Sequence, residues 1–263
     1  MSIRVAAERP QGMTQTNIPT GRFVWFEYFV PDVKKAHGFY GELFNWTTQD
    51  VPMPDGSYTM IAANGQTMAG YQTTPPGAPK SGHWLPHLQV ENAAATAAQI
   101  TKLGGKVRME AKKLGDVGTV AVVADPLDGT FCLWQPQGHV GTGDWTGKPG
   151  AFCWVELQTQ DPAKSLAFYK AIGGFEAQHS DNMPDYTVLT KDGGMRGGIN
   201  KPPMQAPQAW VPYVQVANCD ASLDKAKKLG ASVLVPSMEA KGVGRFAIFA
   251  DPQGGVIGIL QPS

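Results

Sequence analysis

The sequence predicts an α+β fold made of four βαβββ modules arranged as two tandem domains. Three observations carry this reading. The two halves of the chain repeat each other at a nearly constant offset. Each half repeats itself more weakly after about sixty residues. In each repeat a strand-like run leads into a helix-like segment and then into short β-rich runs bounded by Gly, Pro and Asp.

The elements follow in order. Phe23 to Tyr40, FVWFEYFVPDVKKAHGFY, matches Phe152 to Tyr169, FCWVELQTQDPAKSLAFY, with Trp25, Glu27, Asp32, Phe39 and Tyr40 finding Trp154, Glu156, Asp161, Phe168 and Tyr169. A strand ends at the Asp and a helix follows it. Tyr58-Thr59 then matches Tyr186-Thr187, and Gly70 matches Gly198. A second strand, His83 to Asn92, matches Ala209 to Asn218, and its helix ends at Leu103-Gly104 or Leu229-Gly230, with glycine as the left-handed cap. The β-rich runs TVAVVAD and RFAIFAD open the last hairpins, and Ala124 to Pro136 matches Ala250 to Pro262. The Gly-rich, polar stretch from Gln137 to Gly150 reads as a linker. The expected organisation is an arm over 1–20, a first domain over 21–137, a linker over 138–149 and a second domain over 150–263.

Bulk properties narrow the function. Lys plus Arg and Asp plus Glu are equal at 22 each in 263 residues, so no net charge draws the chain to nucleic acid or anionic membrane. No apolar run is long enough to span a bilayer, and the N-terminal stretch lacks a signal-peptide core. The expectation is a cytoplasmic protein. Cys132, Cys153 and Cys219 form no CxxC pair and read as buried free thiols.

A sheet with a helix on one face leaves its other face to be buried or to wall a pocket. Two modules side by side would curl those faces into a shared half-barrel cavity, with each first strand near its middle. Residues two apart on a strand share a face. Trp25, Glu27 and Phe29 therefore belong together, as do Leu85, His87 and Gln89. A carboxylate between two aromatics is informative, because an unpaired buried charge is costly.

The strand ending in Asp or Asn followed by A-x-x-F-Y, and the DPxxG segments at Asp125 to Gly129 and Asp251 to Gly254, resemble a module of the vicinal-oxygen-chelate superfamily, which holds glyoxalases, bleomycin-resistance proteins and dioxygenases. The resemblance spans roughly residues 21 to 263, and within the superfamily it is most similar to two-domain glyoxalase-like proteins, also called hydroxylase-like or mycobacterial antigen-like. It implies tandem domains of that fold. It also implies a divalent ion in metal-dependent members, held by a His seven residues before the strand-ending Asp and a Glu four after the Gly of DPxxG. Here those places hold Trp25 and Leu85, Trp154 and Val211, Leu133 and Gly258, none a plausible ligand. No metal and no cofactor are therefore expected.

The candidate catalytic pair is Glu27 with His87, an acid/base set on one face. The candidate ligand-binding residues are Trp25, Phe29, Leu133, Gln135, Trp154, Glu156 and Tyr213. Core packing would equally explain the tryptophans, Trp84 and Trp210 included. His37, His83, His139 and His179 make no spaced ligand set, and Gly193 to Gly198 lacks the strand-to-helix setting of a phosphate loop. The expected function is a metal-independent pocket protein that binds or transforms a small organic molecule in each domain. The alternatives are a metal-dependent lyase or dioxygenase and a non-catalytic sequestering module. Monomer and homodimer both remain open.

Overall fold

The computed structural model describes residues 20–53, 56–75, 77, 80–138, 141, 147–180, 183–202 and 206–263. The arm over 1–19, most of the linker and His139 lie outside the described residues.

Each half contains two βαβββ modules. The first half has β1 (Phe23–Val30), α1 (Val33–Phe44), β2 (Thr47–Met53), β3 (Gly56–Ala63) and β4 (Gln66–Thr73), then β5 (His83–Gln89), α2 (Ala93–Lys102), β6 (Lys106–Leu114), β7 (Gly118–Ala124) and β8 (Thr130–Pro136). The second half has β9 (Phe152–Gln158), α3 (Pro162–Gly173), β10 (Glu176–Ser180), β11 (Met183–Lys191) and β12 (Gly194–Asn200), then β13 (Ala209–Gln215), α4 (Cys219–Lys228), β14 (Ser232–Ala240), β15 (Gly244–Ala250) and β16 (Val256–Pro262).

The Asp or Asn that closes each module's first strand starts the helix. Asp32, Asn92, Asp161 and Asn218 each accept the N–H three residues on, from Lys35, Ala95, Lys164 and Ala221. This satisfies one of the four N–H groups a helix start leaves open. Gly104 and Gly230 stand just past the C-caps of α2 and α4 with φ of 84° and 96°, as a left-handed cap requires.

Each half forms its own eight-stranded sheet, in the orders β2-β3-β4-β1-β5-β8-β7-β6 and β10-β11-β12-β9-β13-β16-β15-β14. Within a sheet the modules meet at their first strands, which pair antiparallel, β1 with β5 and β9 with β13. The helices cover one face of each sheet, and the two sheets share one core on that side. Phe26 stacks on Phe152 at 4.1 Å and Phe23 packs on Trp210 at 4.7 Å, so the first strands of the two halves touch. The opposite face of each sheet carries its own smaller cluster, around Leu85, Cys132 and Trp134 in one half and around Val211, Tyr213 and Ile248 in the other. These inner faces are the places for a site. Among the described residues no helix is long and apolar enough to cross a membrane.

Candidate ligand site

Strand register assembles the inner face of the first half. Trp25 stands opposite His87, Glu27 opposite Leu85 and Phe29 opposite His83 across the β1–β5 pair. Facing residues of paired strands share a side, so all six look inward. Glu27 and His87 are thus diagonal neighbours on one face. On the flanks, β4 brings Gly70 beside Glu27 and Gln72 beside Phe29, and β8 brings Cys132 beside His87.

Glu27 is 6% exposed and His87 7%. Tyr58 Oη on β3 donates to Glu27 Oε2 at 2.9 Å, and Trp25 also hydrogen-bonds the carboxyl. Trp25 Nε1 donates in turn to Tyr58 Oη at 3.0 Å. This reach depends on Gly70: a Cβ there would stand 1.9 Å from the Tyr58 hydroxyl. The other carboxyl oxygen, Glu27 Oε1, is buried and has no hydrogen-bond partner among the described residues. Burial pushes the Glu27 carboxyl up to about 8, against the opposing pull of the Tyr58 and Trp25 hydrogen bonds. Burial, and after it the Glu27 charge, holds Tyr58 well above the usual phenol value. The same two causes hold Cys132 up, so it is a neutral thiol beside the carboxyl.

The second half repeats the motif and completes it. Trp154 Nε1 donates to Tyr186 Oη at 2.6 Å, and a Cβ at Gly198 would stand 1.9 Å from that hydroxyl. Tyr186 also hydrogen-bonds Glu156. Oε1 of Glu156, the oxygen left open in Glu27, accepts from Gln158 at 3.3 Å, Asn200 at 3.5 Å and Tyr213 at 3.3 Å. Burial raises the Glu156 carboxyl, and all four of these hydrogen bonds pull it back.

The candidate residues thus fall into two groups. Trp25, Glu27, Phe29 and His87 share the first inner face, and Trp154, Glu156 and Tyr213 share the second. Leu133 and Gln135 look the other way. Leu133 is fully buried in the helix-side core. Gln135 Oε1 accepts Ala93 N at 3.1 Å and so caps α2. The inward residues of β8 are Cys132 and Trp134, one position out of phase with the expectation, because the left-handed turn place that Gly254 holds in the second half is held in the first by Asp128, with φ of 75°, and not by Gly129, from which the count ran. Tyr58 and Tyr186 were visible in the sequence only as a repeated Tyr, and Gly70 and Gly198 only as a repeated Gly, with nothing to join them.

The same register tests the site for the divalent ion of metal-dependent members. The inner-face positions are Trp25, Leu85 and Cys132 in one half and Trp154, Val211 and Gly258 in the other. A buried neutral thiol is the single donor among them, and no group of three His, Cys, Asp or Glu among the described residues has the spacing of a metal site. The residues present do not fit the ion.

Two duplicated sheets with first strands paired at their centres, each carrying a buried carboxyl, define a tandem glyoxalase-like protein. The glyoxalase-like domain family matches residues 24–134 and again 154–260, and the chain belongs to that family. It is 33% identical over 246 residues to CFP32 of Mycobacterium tuberculosis, a glyoxylase by name, covering 91% of this chain and 94% of that one. It is 28% identical over 270 residues to the anthracycline biosynthesis protein DauV of Streptomyces sp. strain C5, covering 94% and 95%. The fold is similar to that of the Mn(II)-bound glyoxalase of Novosphingobium aromaticivorans, with a TM-score of 0.59 and 17% identity over 93% of this chain and 82% of that one.

Proposed function

We propose that the chain binds a small, planar organic molecule bearing a carbonyl or hydroxyl oxygen, and exchanges a proton with it, on the inner face around Glu27 and without a metal ion. One observation carries this: Glu27 Oε1 is buried without a partner among the described residues. A buried polar atom left unpaired costs on the order of 1–3 kcal/mol, so a site that keeps one has a use for it. Trp25 and Tyr58 set the direction. Trp25 donates to Tyr58 and Tyr58 donates to Oε2, so the proton of the neutral acid belongs on Oε1. With its carboxyl up near 8, Glu27 is mostly protonated at neutral pH and offers that proton to an acceptor oxygen. Once ionised it takes a proton back. His87, diagonal to it on the same face, is the second acid/base group. Trp25 and Phe29 supply a flat wall, with Phe29 stacked on His83 at 5.4 Å and 9°. The name of DauV, an anthracycline biosynthesis protein, supports a polycyclic aromatic ligand, and that of CFP32, a glyoxylase, supports a small-molecule substrate. The setting we assign is the cytoplasm, as monomer or homodimer, with no nucleic-acid partner.

The test is titration of tryptophan fluorescence with 1,8-dihydroxyanthraquinone across pH. Affinity should fall as pH rises through about 8, when Glu27 loses the proton it offers. Glu27→Gln keeps a donor and should bind without that pH dependence, and Glu27→Leu should lose about tenfold or more. Equal binding by the wild type and Glu27→Leu would remove Glu27 from the site. A near-integral content of a transition metal in protein purified without chelator would overturn the metal-free part.

A further inference from the structure

We infer that the chain has one ligand site rather than two: Gln158, Asn200 and Tyr213 close the second inner face from within, and only the first stays open. The inference rests on the reading of Glu27 as the ligand-contacting carboxyl.

The two faces are superimposable in register, which makes the comparison residue by residue. Phe29 and Gln72 face each other beside Glu27 as Gln158 and Asn200 do beside Glu156. His87 stands opposite Trp25 as Tyr213 stands opposite Trp154. Three donors that converge on Glu156 Oε1 therefore have the counterparts Phe29, Gln72 and His87. Phe29 has no donor, and neither Gln72 nor His87 bonds Glu27 Oε1, which is left without a partner among the described residues.

A fourth exchange accommodates the third. Tyr213 pairs with Gly258 and His87 with Cys132. A Cβ at Gly258 would stand 2.4 Å from the Tyr213 ring, so the larger ring occupies the space a side chain would take. The second face has thus exchanged a smaller ring and a thiol for a tyrosine that fills both volumes and hydrogen-bonds the carboxyl. A ligand there would have to break hydrogen bonds that the protein already makes, whereas a ligand at Glu27 supplies one that is missing.

The experiment exchanges the closing set. Calorimetric titration with 1,8-dihydroxyanthraquinone should give one equivalent per wild-type chain. The variant Phe29→Gln/Gln72→Asn/His87→Tyr/Cys132→Gly should bind at least about tenfold more weakly. The reciprocal variant Gln158→Phe/Asn200→Gln/Tyr213→His/Gly258→Cys should approach two equivalents. Circular dichroism checks the fold, and the single change Phe29→Gln carries the same expectation if the fourfold variant does not fold. Two equivalents in the wild type, or one that Glu156→Leu removes and Glu27→Leu does not, would overturn the inference. A second readout needs no ligand. Carbon-13 NMR of the glutamate carboxyls should show the Glu27 titration falling by about one unit or more in the closed variant, because three donors then favour its charged form. Should the wild type bind no probe, the ligand class proposed above fails on its own, and the NMR shift still decides: a lowered Glu27 titration upholds the closure, and an unchanged one overturns it.

Discussion

Glu27 illustrates how a single residue sets a cost. Its carboxyl rises from 4.5 to about 8 because burial outweighs two hydrogen bonds. The folded state thus binds its proton more tightly than the unfolded chain does, and stability falls as pH rises from about 4.5 to about 8, then levels off. Each unit is worth 1.36 kcal/mol, so the full cost is on the order of 3–5 kcal/mol. Glu27→Gln should match the wild type at pH 4.5 and exceed it by that order at pH 9, as measured by urea denaturation. An identical difference at both pH values would show that the carboxyl titrates normally. Part of this was legible in the sequence, since alternation alone set Glu27 between Trp25 and Phe29. Its partner was not, because Tyr58 reaches it from two strands away over Gly70, and nothing in a linear sequence orders strands β3, β4 and β1 side by side.

At the scale of the element, the last strand of each half shows how a side chain's role turns on one step of register. Leu133 and Gln135 were read as facing the ligand, and they face the helices. Side chains alternate along a strand, so counting from Gly129 rather than from Asp128, which holds the turn place of Gly254, was enough to reverse the reading. Gln135 and its repeat Gln261 serve the helices instead, accepting Ala93 N at 3.1 Å and Cys219 N at 3.0 Å. Gln135→Ala should therefore cost about 1 kcal/mol of stability and leave probe affinity unchanged. Parallel urea denaturation and fluorescence titration would decide; a stable variant that no longer binds would restore Gln135 to the ligand's surroundings. The helix starts were legible because capping is local: Asp or Asn and the N–H it accepts are three residues apart in the chain.

Across the whole molecule, the residues that carry the family resemblance hold the halves together. The tyrosine of the Phe-Tyr pair in each half, Phe39-Tyr40 or Phe168-Tyr169, donates to the aspartate of DPxxG in the other: Tyr40 to Asp251 at 2.8 Å and Tyr169 to Asp125 at 2.7 Å. Each aspartate's second oxygen accepts two N–H groups of its own turn, from Gln253 and Gly255 or from Leu127 and Gly129. The remaining position differs between the copies. Tyr28 completes Asp251, and Gln208 completes Asp125. A buried carboxylate with this many donors stays satisfied only while both halves are docked, and Phe26, Phe152 and Trp210 share the same interface. The duplication is therefore not two independent domains on a string, although the sequence repeat alone reads that way. Chains 1–137 and 138–263, coexpressed with a tag on one, should copurify one to one. Expressed alone, each would leave its aspartate short of donors and its aromatic face exposed, and should aggregate or unfold. Tyr169→Phe in the intact chain, which strips one donor from Asp125 and an acceptor from Trp210, should cost about 1–3 kcal/mol in one cooperative transition. Two separated transitions, or halves that are stable monomers on their own, would mean that the interface contributes little and that each domain stands by itself.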